Sequence, residues 1–155
     1  SDFCEKLREA ISEQSEQSGG RPVMMNNLDV SQVHWDPRHI SSLLRVLQEA
    51  GAATKRFKAF KSGLTDEAVG CLASYLESLP PASLPDEVHL SNNQITPQGC
   101  EALLDAIEAK RSEAAEPGAL RPIWLRVENN KVGDIYLNLL CQKGRAIFVD
   151  NLGNR

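Results

Sequence analysis

The sequence predicts an α/β solenoid, with a curved parallel β-sheet on the concave side and helices on the convex side. Three observations carry that expectation. The first is the stretch VHLSNNQITPQGCEALLDAIE, from Val88 to Glu108. There Val88 and Leu90 alternate as in a short strand, Asn93 stands where the chain must turn, and Ile95 closes the turn. Cys100, Leu103, Leu104 and Ile107 follow at helical spacing. The second is that this pattern recurs along the chain. The third is physical: one strand and one helix cannot bury both of their apolar sides alone, so the units must stack.

The copies align through their helices. Leu103 and Ile107 match Leu72 and Leu76 of AVGCLASYLE, and these match Leu43 and Leu47 of HISSLLRVLQ. Carried back to the strands, this register equates Val88-x-Leu90 with Phe57-x-Ala59 and Leu28-x-Val30. Downstream it gives Leu125-x-Val127, with Asn130 at the turn and Val132 closing it. The strands start at 28, 57, 88 and 125, so the steps are 29 (57−28), 31 (88−57) and 37 (125−88). The long third step holds KRSEAAEPGALRP, a polar segment with Pro and Gly that reads as a longer loop on one edge.

The Val88–Ile107 unit resembles a leucine-rich repeat of the ribonuclease-inhibitor type, and the resemblance extends from Leu28 to Val132. It implies that Asn93 and Asn130 are structural turn asparagines whose side chains hydrogen-bond backbone groups along the stack. Val33 and Ser62 stand at the equivalent places of the first two units, so the ladder should be interrupted there or replaced by other contacts. The resemblance also implies noncatalytic recognition of a protein through the concave face.

The whole chain, 1–155, reads as a single domain. Residues 1–16 are a partial repeat or a capping helix, 28–144 hold about four repeats, and 145–155 form a C-terminal strand or cap. FCEKLREAI places Leu7 and Ile11 in the helical register of Leu43 and Leu47, but no strand precedes it. That fits either a cap or a piece of a longer multidomain chain. SEQSEQSGGRP, poor in apolar residues, reads as a mobile loop. YLNLLCQKG gives a short helix stopped by Gly144, and RAIFVDNLGNR a last strand with Ile147 and Val149 inward.

Composition narrows the function classes. A net charge of −4 and a pI near 5.4 argue against a general nucleic-acid or membrane binder. No apolar run approaches the roughly 20 residues that span a bilayer. Cys4, Cys71, Cys100 and Cys141 stand singly on helices, with no metal-ligand spacing and no cysteine-flanked cap. They read as reduced, buried hydrophobes of an intracellular protein, cytoplasmic first and nuclear as the alternative. No metal and no cofactor is expected.

Strand alternation then assigns the surface. If Val88 and Leu90 point inward, Glu87, His89 and Ser91 face outward. The same rule turns out Asn27, Asp29 and Ser31 in the first row, and Arg56, Lys58 and Phe60 in the second. Trp124, Arg126 and Glu128 follow in the fourth, and Phe148 and Asp150 in the last. Large aromatics and arginine among charges mark the energetic centres of interfaces. The expected partner contacts are therefore Phe60, Trp124, Arg126, His89, Glu87, Lys58 and Glu128. The competing reading has Trp124 and Phe148 packed under the insertion and the C-terminal end.

Lys55–Lys61 is the one concentrated basic patch, so RNA is an alternative partner, docking through Arg56, Lys58 and Lys61. Asp29 and Glu87 in the adjoining rows should offset that charge. Catalysis has little support. Glu87, His89 and Ser91 share a strand face, but an open sheet offers no site that excludes water. No phosphate-binding glycine loop is present. A third reading is a segment that only extends or caps a longer array.

Overall fold

The computed structural model describes residues 2–116 and 120–145 of the chain, so the expected strand at Ile147–Val149, with Phe148 and Asp150, lies outside the described residues. Four segments alternate strand and helix because each has an alternating apolar pair, a turn and then an apolar stripe of period 3.6. The elements run α1 (Asp2–Gln17), β1 (Met24–Met25), β2 (Leu28–Asp29), α2 (Pro37–Glu49), β3 (Ala53–Thr54) and β4 (Arg56–Lys58). They continue with α3 (Asp66–Ser78), β5 (Glu87–His89), α4 (Pro97–Ser112), β6 (Trp124–Arg126) and α5 (Asp134–Gln142). A single 3-10 turn over Pro81–Ser83 joins α3 to β5.

The strands form a four-stranded parallel sheet, β2-β4-β5-β6, and a separate two-stranded sheet, β1-β3. In the larger sheet Leu28 pairs with Phe57, Phe57 with Val88, and Val88 with Leu125, the register that the helix alignment had given. Between sheet and helices lies the core. Phe57, Val88, Leu90, Leu64 and Ile95 meet Leu43, Leu47, Leu72, Leu76 and Leu103, all essentially sealed from water. Each such side chain contributes about 1.5–3 kcal/mol of apolar burial.

The expected class needs correcting. The described residues form no single curved sheet lining a leucine-rich-repeat solenoid. They hold five α-helices and two small parallel sheets whose strands are only two or three residues long. The reason lies in the turns. Asn93 makes the full set of contacts that a repeated turn needs, whereas the first two turns improvise. A motif that is complete in one unit fixes a strand, a turn and a helix there; it does not fix the class of the whole array.

Three further boundaries differ. The polar SEQSEQ stretch continues α1 through Gln17, because its residues occupy the solvent side of a helix whose Cys4 and Ile11 are buried. The chain breaks only at Gly19 and Gly20, both at positive φ. The start of the insertion likewise extends α4 to Ser112, with Lys110 Nζ 2.5 Å from Glu113. The strands β1 and β3 carry no alternating pattern and were not expected.

Asn93 is buried, and its Oδ1 accepts the backbone N–H of Ser62 (2.9 Å) and of Leu64 (3.0 Å). Its Nδ2 donates to the carbonyls of Ala59, Leu90 and Ser91. Asn130 repeats the arrangement one unit on, accepting from Ile95 N–H and donating to Leu90 and Val127. At the second turn the Ser62 hydroxyl donates to Val30 and Phe60 carbonyls instead. At the first, Val33 points outward and the Trp35 indole N–H donates to the Val30 carbonyl at 2.9 Å. The residue before each of these positions, Gln32, Lys61, Asn92 and Asn129, has a positive φ.

The helix starts are also cross-linked. Asp36 caps α2 by accepting Arg38 N–H at 2.8 Å, with Pro37 at the first helical position. Thr96 makes no such bond for α4. Asp66, from the first turn of α3, accepts both the Thr96 N–H (2.8 Å) and its hydroxyl (2.5 Å). A side chain at Gly99 would strike the Asp66 carboxylate, so glycine there permits the close approach of α3 and α4. At the far end Arg145 spans Glu101, Asp105 and Glu108 of α4, and the Tyr136 hydroxyl donates to Glu101.

Two outcomes test this account. Asn93→Ala strands buried amides and carbonyls of two turns and should cost about 2–4 kcal/mol by urea unfolding, more than Asn130→Ala at its half-buried site. Lys61→Asn should be neutral or stabilising by up to about 0.5 kcal/mol, while Lys61→Val should cost about 1 kcal/mol, because only the former suits positive φ.

Candidate functional site

The outward face of the four-stranded sheet is a grid set by the strand pairings. Arg56, Glu87 and Trp124 form one line, with Lys58, His89 and Arg126 behind it. Asp29 extends the second line through its pairing with Lys58. Phe60, Ser91 and Glu128 follow where the strands end, and three backbone bonds between successive units continue beyond the ladder there, from Gln32, Lys61 and Asn92 N–H to Phe60, Ser91 and Glu128 carbonyls. Short strands and tight turns thus bring all seven expected contact residues to one face.

Their exposures differ sharply. Trp124 is 55% exposed. Phe60, Lys58, Glu87 and Arg126 are half-buried and Glu128 is exposed. His89, one of the expected contacts, is buried at 9%, and Ser91, expected on the outward face, at 2%. Alternation gives the side on which a residue points, but not whether a neighbour covers it. Here Phe60 covers His89, the rings stacked 20° from parallel with centroids 4.8 Å apart. The sequence separation of 29 residues hid this diagonal contact; only the strand register exposes it.

The charges are largely matched within the face. Arg56 Nε lies 3.8 Å from Glu87, and Arg126 donates to Glu128 at 2.6 and 3.0 Å. The Ser31 hydrogen bond, with help from Lys58, holds the Asp29 carboxyl below its usual range. Burial, and then the Arg126 charge, depress the His89 imidazole below its ordinary value of 6.5. The ring Nε2 is 2.5 Å from the Ser91 hydroxyl.

Little in this arrangement performs chemistry. A serine needs an accessible hydroxyl, a base and a group orienting that base, and Ser91 is sealed under the face. An open groove of about 470 Å³ lies between α4 and α5, lined by Glu101, Asp105 and Tyr136. Among the described residues no His, Cys, Asp and Glu group could hold a metal, and no helix is long and apolar enough to cross a membrane. All four cysteines are free. Cys4 and Cys100 are buried, and burial pushes the Cys100 thiol up to about 11. Cys71 and Cys141 are only half-buried, so the expectation of four sealed thiols holds for two.

Several exposed apolar groups were not singled out by the sequence. Ile135 and Leu139 lie one turn apart on α5, and Phe3 meets Trp35 edge-on at 6.1 Å. The four-residue spacing of Ile135 and Leu139 was visible, but in a stacked array the same spacing ordinarily marks core.

No family model matches the chain, and no curated protein matches it. Solved structures do. The chain is similar to the actin-binding site 2 of leiomodin-1, with 14% identity and a TM-score of 0.56 over 76% of this chain and 62% of that one. It is also similar to the tropomodulin C-terminal domain of Caenorhabditis elegans, with 13% identity and a TM-score of 0.58 over 86% of this chain and 70% of that one. The chain therefore spans less than two thirds of the leiomodin chain. These neighbours give the fold, and they replace the assignment to a leucine-rich-repeat solenoid of the ribonuclease-inhibitor type.

The exposure pattern has a direct consequence for stability. Trp124→Ala should shift the unfolding free energy by no more than about 0.5 kcal/mol, whereas Phe60→Ala should cost about 1–2 kcal/mol by uncovering His89. Urea denaturation followed by far-ultraviolet circular dichroism reads both.

Proposed function

We propose that this domain is a noncatalytic protein-binding module and that its partner is actin. The observation that carries the binding reading is Trp124, a large aromatic left 55% exposed on an end strand of the described sheet. Beside it stand Arg126 with its Glu128 partner, then Phe60 over His89. An exposed tryptophan flanked by an arginine and a rigid aromatic has the composition of an interface centre. Actin as the partner is supported by the fold alone, because a domain of similar shape bears an actin-binding site in its name. Glu87 and Lys58 complete the proposed contact set on the same face.

A noncatalytic role is supported by the buried Ser91 and by the open form of the hollow between α4 and α5. RNA recognition through Arg56, Lys58 and Lys61 has less support, since Arg56 stands beside Glu87 and Lys58 pairs with the strand residue Asp29.

Co-sedimentation with filamentous actin, and fluorescence anisotropy with monomeric actin, test the proposal. Binding to either form is expected, and Trp124→Ala combined with Arg126→Ala should weaken it about tenfold or more without altering the fold. Absence of binding to both forms defeats actin as the partner. Binding that the double substitution leaves unchanged moves the contact surface elsewhere. A steep loss of affinity for single-stranded RNA between 50 and 200 mM salt, with no actin bound, is the result expected of the RNA reading instead.

A further inference from the structure

His89 is the one histidine placed inside the sheet face; His34 and His39 are exposed in the loop before α2 and at its start. Its burial and the charge of Arg126 suit a neutral ring. Phe60 stacks on it, and Ser91 shares a 2.5 Å hydrogen bond with its Nε2. Lys58 of β4 and Arg126 of β6 are its direct neighbours on either side. The carboxylates within reach are already engaged. Glu128 holds Arg126, Glu87 lies against Arg56, and Asp29 at the far end of the row accepts the Ser31 N–H at 3.0 Å. A proton on His89 would therefore place a further positive charge between half-buried Lys58 and Arg126, on a ring that is itself 9% exposed, with Glu128 and Glu87 offsetting only part of it. Like charges opposite one another destabilise a sheet, and burial raises that cost.

We infer that the sheet face is a pH-sensitive element in which protonation of His89 drives its ring out of the Lys58–Arg126 row and unstacks Phe60. Both rings belong to the face that bears Trp124, so acidification alters the shape and charge of that surface together. The inference is independent of any partner, because the free protein displays it. The depressed imidazole agrees in sign. A ring that holds its proton less tightly when folded contributes full stability above the unfolded value near 6.5 and loses it as pH falls toward the folded value.

Proton and carbon NMR titration of the free domain from pH 8 to pH 5 reads this directly. The His89 ring should titrate below 6.5, and the ring-current shifts and cross-relaxation between Phe60 and His89 should vanish over the same interval. The urea midpoint should fall across that interval in the native chain and fall less in His89→Gln. Because a buried substitution can fail to fold, Lys58→Met provides a second arm: removing one flanking cation should move the His89 titration upward. Titration of His89 at or above 6.5, or Phe60 signals that stay fixed while His89 titrates, overturns the inference. So does a Lys58→Met chain whose His89 titrates where the native one does.

Discussion

The carboxamide of Asn93 holds backbone groups of two successive turns at once, and the placement of the neighbouring strands follows from it. Two N–H groups from the preceding turn and three carbonyls converge on one side chain that is 5% exposed. A buried backbone polar group left without a partner costs as much as a lost hydrogen bond, so a turn packed against another turn must find such donors and acceptors. Among the described residues no buried side-chain nitrogen or oxygen lacks a partner. Asn130 does the same work one unit later, while Ser62 and Trp35 reach some of the equivalent carbonyls with a hydroxyl and an indole. Different side chains thus satisfy one geometric requirement, and the register of the sheet survives the substitutions.

The helical layer obeys a similar rule with charge. Asp66 ties the start of α4 to α3, and the absence of a side chain at Gly99 lets it do so. Arg145 gathers three carboxylates spaced along α4, and the Tyr136 hydroxyl adds to the same cluster. Hydrogen bonds donated to Glu108, Asp105 and Glu101 raise the Arg145 guanidinium, and the Tyr136 and Arg145 bonds hold the Glu101 carboxyl low. Central units are joined by buried leucines, whereas the last described unit adds these polar contacts near the surface to the core contributions of Val132 and Leu140. Ile135 and Leu139 remain exposed on that last helix.

On the sheet face, surface shape and stability meet at one contact. Phe60 and His89 belong to different strands and to different lines of the grid, yet they stack. That stack takes His89 out of solvent and leaves Trp124 standing alone in the open. The face therefore holds one exposed aromatic, one aromatic fixed by a titratable ring, and charges that largely neutralise one another.

The sequence by itself determined the strand–turn–helix units, their spacing and their register. Apolar periodicity is a local property, and Leu28, Phe57, Val88 and Leu125 occupy equivalent places because each begins the same pattern. It also determined which residues share the outward face, since alternation along a strand is fixed by the backbone. Tertiary structure alone decided the rest. The pairing of β1 with β3, the burial of His89 and Ser91, and the reach of Arg145 across α4 all join residues far apart in the chain. No local pattern encodes such contacts. The class of the array was also a tertiary matter: the complete motif at Val88–Ile107 suggests a leucine-rich-repeat solenoid, but the packed arrangement of short strands and helices is similar to that of the leiomodin and tropomodulin domains. The physical reason is that a turn motif constrains only its own hydrogen bonds, whereas the shape of a stack is set by how every turn and helix meets the next.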